Sequence, residues 1–327
     1  AKNLIKEKLN KIKTTYINGE QDNYNYYIYI ENKDPNMPEI ALLTDSVSDL
    51  IPEDIIGLPI KIVPLKIDLN GELLKDGIEM SKDEFWQKMV NSRDEEDLKL
   101  KTSQPSPQDF LNAYNKLFEK GYKKIISVHP SSKLSGTAQA ARVGRSLTNR
   151  EDDIELVDSM GGSLLQGILV LEAAKKAVKK ESFGEIINWI NSYKNKGKLL
   201  MIVPDLKYLE KGGRIGKAGS AIAGMIQLKP ILTVSQGEVT IEKKVIGERN
   251  AQKYIEKYVK DESRKQSLVV CTCWGGGPEE LENISKIHSE IGESSKITFA
   301  ILNRQIGAVI GCHTGPVYGV FMFPKLS

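Results

Sequence analysis

From residue 39 onward one unit recurs along the chain: a short apolar run, a loop rich in Ser and Asp, then a stretch with helical spacing. Residues 40–44 lead into Asp45-Ser46-Val47-Ser48-Asp49, residues 122–128 into His129-Pro130-Ser131-Ser132, and residues 154–157 into Asp158-Ser159. Such short apolar runs, separated by helical segments, imply βαβ units and a parallel sheet. Ligands of open parallel sheets sit beyond the carboxyl ends of the strands, which is where these hydroxyl- and acid-rich loops fall. Residues 107–120 place Phe110, Ala113, Tyr114, Leu117 and Phe118 on one face, so this segment is a core-facing helix rather than a site.

The second half reads differently. Residues 199–203 and 268–273 are further strand-like runs, while residues 231–234 and 239–245, separated by Gln236-Gly237, form a hairpin pattern. A mixed sheet in a second domain is expected. Ahead of everything lies a Lys-rich segment followed by Asn23-Tyr24-Asn25-Tyr26-Tyr27-Ile28-Tyr29-Ile30, a run of high β-propensity closed off by Pro35 and Pro38. The expected organisation is a β-rich extension and linker over residues 1–37, a parallel α/β domain over 38–195 and a second α/β domain with a mixed sheet over 196–327.

At 327 residues the chain is long enough for two domains with separate cores. Its 46 Lys and Arg against 43 Asp and Glu leave a formal charge of +3, spread rather than blocked, which argues against a nucleic-acid surface. Cys271, Cys273 and Cys312 are an odd set whose first two form C-x-C, not a zinc or redox spacing, so a reduced cytoplasmic protein without a structural metal is expected. The longest uncharged stretch, residues 305–324, contains His313, Pro316 and several glycines that would break a membrane-spanning helix. No signal peptide is recognisable, and Ala1 in place of Met points to sequence upstream.

Four segments offer chemistry. Ser131-Ser132-Lys133-Leu134-Ser135-Gly136-Thr137 puts hydroxyls and free backbone N–H groups at the start of a helix, suited to a carboxylate or phosphate, with plain N-capping by Ser135 or Thr137 as the alternative use. Lys101-Thr102-Ser103-Gln104-Pro105-Ser106-Pro107 is a stiff, hydroxyl-rich loop in which Ser106 is a natural N-cap and Pro107 the first helical residue, leaving Thr102 and Ser103 for a ligand. Gly311-Cys312-His313-Thr314-Gly315-Pro316 follows an apolar run and holds one of three histidines, open to a structural or a functional reading. Residues 208–218 fail as a phosphate loop, because Lys211 and Ala218 stand where Gly and Ser or Thr are required, so Gly212-Gly213 is expected to bend the chain and expose Arg214. Gly275-Gly276-Gly277-Pro278 reads as a turn into a helix, and no G-x-S-x-G occurs.

Taken in order, Thr44 to Asp49, Thr102-Ser103-Gln104-Pro105-Ser106-Pro107, Ser131 to Thr137, Asp158-Ser159, Leu209 to Ile215 and His313-Thr314-Gly315-Pro316 resemble the DegV family over about residues 38–327. The resemblance implies a two-domain α/β fold with a long-chain fatty acid in an apolar tunnel between the domains. It implies that hydroxyls of Thr102 and Ser135 hold the carboxylate, with Ser103, Gly136, Thr137, His313 and Thr314 close to the head group. It further implies a bacterial lipid-binding subunit, without catalytic residues or cofactor of its own, that hands the lipid to a dihydroxyacetone-kinase-like fatty acid kinase and so feeds phospholipid metabolism. Arg214 is then a residue of the kinase-facing surface. The Tyr-rich beginning resembles the closing hairpin of that kinase, which would make the chain part of a fusion. Residues 162–170 and 218–228 are apolar enough to line a tunnel or to be core helices.

Two other functions stay open on the sequence. One is an enzyme acting on a small carboxylate or phosphate at the same loops, with His313 as general base. The other is a lipid storage or signalling module without a kinase.

Overall fold

β1 (Ile40–Asp45) is buried at all six positions, as a strand covered on both faces must be. It lies between β2 (Ile60–Val63) and β6 (Lys124–His129), and β7 (Ile154–Asp158) completes a four-stranded, wholly parallel sheet in the order β2-β1-β6-β7. The computed structural model describes residues 37–92, 99–221, 228–292 and 296–325. The β-rich extension expected over residues 1–37, with its likeness to a kinase hairpin, falls almost entirely outside them, as does most of 218–228.

A second, antiparallel sheet of three short strands was not legible in the sequence: β4 (Glu72–Lys75), β3 (Lys66–Leu69) and β5 (Leu100–Ser103). It corrects one expectation, since Thr102 and Ser103 are the last residues of a strand and the loop begins only at Gln104. The third sheet is mixed, with six strands in the order β10-β9-β8-β13-β11-β12. These are β8 (Lys198–Ile202), β9 (Leu228–Ser235), β10 (Glu238–Ile246), β11 (Leu268–Gly275), β12 (Ile297–Gln305) and β13 (Val317–Pro324). Only the β11–β12 pair in it is parallel. The expected hairpin is β9–β10, with Gln236 and Gly237 both at positive φ as a tight two-residue turn requires.

In chain order the helices are α1 (Pro52–Ile55), α2 (Lys82–Asn91), α3 (Pro107–Glu119), α4 (Thr137–Ser146), α5 (Leu164–Val178), α6 (Phe183–Tyr193), α7 (Lys207–Lys211), α8 (Glu248–Lys265), α9 (Pro278–Ile291) and α10 (Ala308–Thr314). α3 starts as expected: Ser106 caps it, Asp109 closes a capping box and Pro107 is the first helical residue. Its apolar face, Phe110, Ala113, Tyr114 and Leu117, packs with Ala140 and Ala141 of α4 beside the parallel sheet. α5 is buried along most of its length, so residues 164–170 are core helix and only Gly162 and Ser163 before it reach a cavity.

Alternation along β8 divides the mixed sheet into two faces. Leu200 and Ile202 join the core formed with Ile255 and Val259 of α8 and Ile284 and Ile287 of α9. Leu199 and Met201 point to the other side, into the cavity. All three sheets lie in one compact unit. Among the described residues no helix is long and apolar enough to cross a membrane.

Candidate functional site

The cavity encloses about 150 Å³ and opens into a cleft of about 1020 Å³ when space open to solvent is counted. Its floor is the mixed sheet: Leu199 and Met201 of β8, Cys273 of β11, and Val317 and Phe321 of β13. Strand pairing sets Leu199 beside Phe321, so these two form one apolar row. Val309 and Ile310 of α10 close one wall, and Val47, Leu65 and Ile306 add further apolar surface.

One end is polar. Thr102 at the end of β5, Gln104, Ser135, Arg214, His313 and Thr314 all line it. Thr102 Oγ1 and His313 Nε2 lie 2.7 Å apart, joining the three-stranded sheet to α10. Burial, and then the Arg214 charge, push His313 down to a pKa of about 4, so the ring is neutral. Its Nδ1 has no hydrogen-bond partner among the described residues and faces Gly212, where an added Cβ would sit only 2.4 Å away. Buried orphan N–H groups are rarer than orphan acceptors, so we assign the proton to Nε2, donating to Thr102. The Thr102 hydroxyl hydrogen is then free to donate into the cavity. Ser135 has the same freedom when the Thr137 hydroxyl is the donor of the pair: its Oγ accepts the Thr137 backbone N–H at 3.3 Å and lies 2.8 Å from the Thr137 hydroxyl. Two hydroxyl donors beside one guanidinium are suited to a carboxylate or phosphate oxygen.

The remaining expected site residues take other places. Thr137 is fully buried and supports Ser135 rather than lining the cavity. Gly136, not Ser135 or Thr137, is the N-cap residue of α4, and it lies under the Gln104 amide. Ser103 points away from Thr102 along the strand and is exposed. Thr314 lines the cavity, but its hydroxyl is engaged by the carbonyls of Ile310 and Gly315. Arg214 is not exposed by the Gly212-Gly213 turn. It is half-buried, its Nε donating to Leu134 O at 3.1 Å and its Nη1 to Gly212 O at 2.5 Å, and these two bonds pin the guanidinium between the turn and the Ser131–Thr137 loop. Gln104 and Ser163 also line the cavity. Neither was singled out in the sequence, since only the fold brings Ser163 to the cavity.

A second constellation has the order of a hydrolytic triad. Asp45 Oδ2 meets His129 Nδ1 at 2.7 Å, His129 Nε2 meets Ser127 Oγ at 2.7 Å, and Ser127 Oγ meets Tyr114 OH at 2.9 Å. Ser127 and His129 are 0 % exposed and lie outside the cavity lining, so no substrate reaches them. This is a satisfied buried network holding β1 against β6. His313, the other histidine considered as a base, has a pKa too low for efficient proton abstraction at neutral pH. Among the described residues no cluster of His, Cys, Asp and Glu is arranged to hold a metal ion.

Comparison with known proteins agrees with this architecture. The family model described as "Uncharacterised protein, DegV family" matches residues 39–325. A DegV domain-containing protein of Caldanaerobacter subterraneus subsp. tengcongensis is 34% identical over 295 residues, covering 88% of this chain and 100% of that protein. One of Clostridium acetobutylicum is 30% identical over 291 residues, covering 88% and 100%. Among solved structures, a DegV family protein from Thermus thermophilus described by its fatty acid binding superposes with a TM-score of 0.79 at 29% identity, covering 88% of this chain and 100% of that one. DegV of Bacillus subtilis, described as a fatty acid binding protein, gives 0.77 at 25% identity with coverage of 88% and 100%. A stearic acid-binding protein from Eubacterium ventriosum gives 0.76 at 25% identity with coverage of 88% and 99%. The chain belongs to the DegV family.

Proposed function

We propose that this chain binds a long-chain fatty acid with its tail over the mixed-sheet floor, and presents the carboxylate, at the Thr102–Ser135–His313 end, to a fatty acid kinase for conversion to acyl phosphate. The observation that carries the reading is the polarity of the cavity: an apolar floor and wall ending in two hydroxyl donors, a neutral imidazole and Arg214. Solved relatives described as fatty acid binding support the choice of ligand. Presentation to a separate enzyme is supported by the exposure of Ser103 and Gln104, which puts the polar end beside solvent. Arg214 supplies the local positive charge there, and the cytoplasm is the proposed place of action.

Denaturing extraction of the purified protein followed by mass spectrometry tests the first half. A long-chain acid released in near-equal amount to protein is expected, whereas a small anion, or nothing, would favour the small-substrate enzyme. The second half is tested by adding a fatty acid kinase and ATP and following acyl phosphate.

A further inference from the structure

Four consecutive residues, the last two of β12 and the two that link it to α10, are each bonded to the first half of the chain. Arg304 Nη2 meets Asp54 Oδ1 at 2.8 Å, Lys82 Nζ donates to Gln305 O at 3.0 Å, Trp86 Nε1 donates to Ile306 O at 2.9 Å, and Gly307 N donates to Asp49 Oδ1 at 2.6 Å. The last of these has the longest reach. Asp49 is buried, its other oxygen accepts from Ser163 Oγ at 2.5 Å, and Lys82 Nζ stands 3.3 Å from Oδ1 as counter-ion. The buried Asp76 lies close enough for the two carboxylates to repel.

Gly307 and Ser163 are the residues immediately before α10 and α5. One carboxylate therefore holds the starts of two helices that flank the cavity. Asp49 and Ser163 both sit at positive φ, +56° and +51°, a conformation that persists for non-glycine residues only where the surroundings enforce it. His313 is six residues beyond Gly307, about 9 Å along a helix rising 1.5 Å per residue. A short helix fixed at its first turn carries that placement to its last, where His313 meets Thr102.

We infer that Asp49 is a positioning residue for the polar end of the cavity: by tying Gly307 to Ser163, with Lys82 as counter-ion, it sets α10 so that His313 Nε2 reaches Thr102 Oγ1. It acts through α10 and does not line the cavity. The inference rests on the fatty-acid reading only for what the polar end receives.

The test is ¹⁵N NMR of the histidine side chains in the full chain, where only three rings need assignment. Asp49→Asn keeps the shape and tolerates positive φ, but its NH₂ cannot accept from a second donor, and Lys82 loses its counter-ion. Wild type is expected to show His313 as a neutral Nε2–H tautomer that titrates near pH 4. In Asp49→Asn α10 is released and water reaches the ring, relieving the burial that holds His313 down, so His313 is expected to titrate at least a unit higher with mixed tautomers. Tyr114→Phe, which removes a hydrogen bond from the separate Ser127 network, is the control for loss of stability alone and should leave His313 unchanged. If Asp49→Asn does not fold, Ser163→Ala removes one donor from the same carboxylate and is read in the same way, with a smaller shift expected. A wild-type His313 spectrum in whichever of the two folds, or an equal shift in Tyr114→Phe, overturns the inference. Lipid extraction from the same samples reports separately on the ligand: a His313 shift in protein that carries no lipid would sink the fatty-acid reading and leave this one standing.

Discussion

His313 and Asp76 titrate in overlapping ranges with opposite consequences for folding. Burial and Arg214 lower His313 from 6.5 to about 4, so between these values the unfolded chain binds the extra proton and stability is lost as pH falls. Burial raises Asp76 from 3.8 to about 6, against a hydrogen bond from Ser46 and the charge of Lys82, so there the folded chain binds the proton and stability is lost as pH rises. Each effect amounts to at most ~3.5 kcal/mol at about 1.4 kcal/mol per pH unit, and they largely cancel between pH 4 and 6. Asp76→Asn should therefore make urea stability fall more steeply on acidification than in wild type, and His313→Gln should make it fall less. Equal slopes in all three proteins would mean that neither group is held as described. For Thr102 and Ser135 the relevant comparison is between tail and head group. Burying a chain of about sixteen carbons yields on the order of 12 kcal/mol gross, whereas each hydrogen bond to a carboxylate contributes about 1.5–3 kcal/mol. The tail thus dominates retention and the hydroxyls aim the carboxylate, and misplacing a reacting group by about 1 Å costs ~100-fold in rate. The Thr102→Val, Ser135→Ala double variant should still purify with fatty acid, yet support ~100-fold less acyl phosphate formation with a kinase. An unchanged rate would remove both residues from the head-group site.

Within single elements, the sequence was most informative where local chemistry acts alone. Ser106, Pro107 and Asp109 announce the start of α3 through a capping box, and Ser106→Ala should cost about 1 kcal/mol of unfolding free energy in denaturant titration while leaving bound lipid unchanged. That outcome would separate Ser106 from Thr102, four residues away, and lost lipid would join them. The Gln236-Gly237 turn was equally legible, but its purpose was not. Gly237 O accepts from Ser131 Oγ at 2.8 Å, and a Cβ there would lie 2.3 Å from that oxygen, so the hairpin buttresses the loop carrying Ser135. β3, β4 and β13 gave weaker signals: the first two are four-residue strands with few apolar positions, and β13 lies in an uncharged stretch interrupted by Gly319. β13 is nevertheless central to the mixed sheet and supplies Val317 and Phe321 to the floor. The polar end was legible as separate motifs. The Thr102–His313 bond spans 211 residues, and the inward turn of Arg214 depends on a carbonyl 80 residues away, so neither is encoded in any local pattern.

The cavity draws on all three sheets, with its floor from β8, β11 and β13, Thr102 from the three-stranded sheet, and Val47, Pro130, Ser135 and Ser163 from loops beyond the parallel strands. No part of that surface exists in the unfolded chain, so a ligand held there binds the native state alone and stabilises it by mass action. Because the walls come from both halves, and Arg304 to Gly307 bind them together, the ligand should stabilise the whole unit rather than one half. At a free concentration one hundred times Kd the gain is about 2.7 kcal/mol, which for a chain of this size corresponds to roughly 4 °C in Tm. Protein stripped of lipid should therefore unfold in one transition at lower temperature, and adding a long-chain fatty acid should restore that transition as a single step. Two transitions, only one of which moved with lipid, would show that the cavity belongs to one half. An unmoved Tm in protein from which extraction does recover fatty acid would place that lipid outside the cavity altogether.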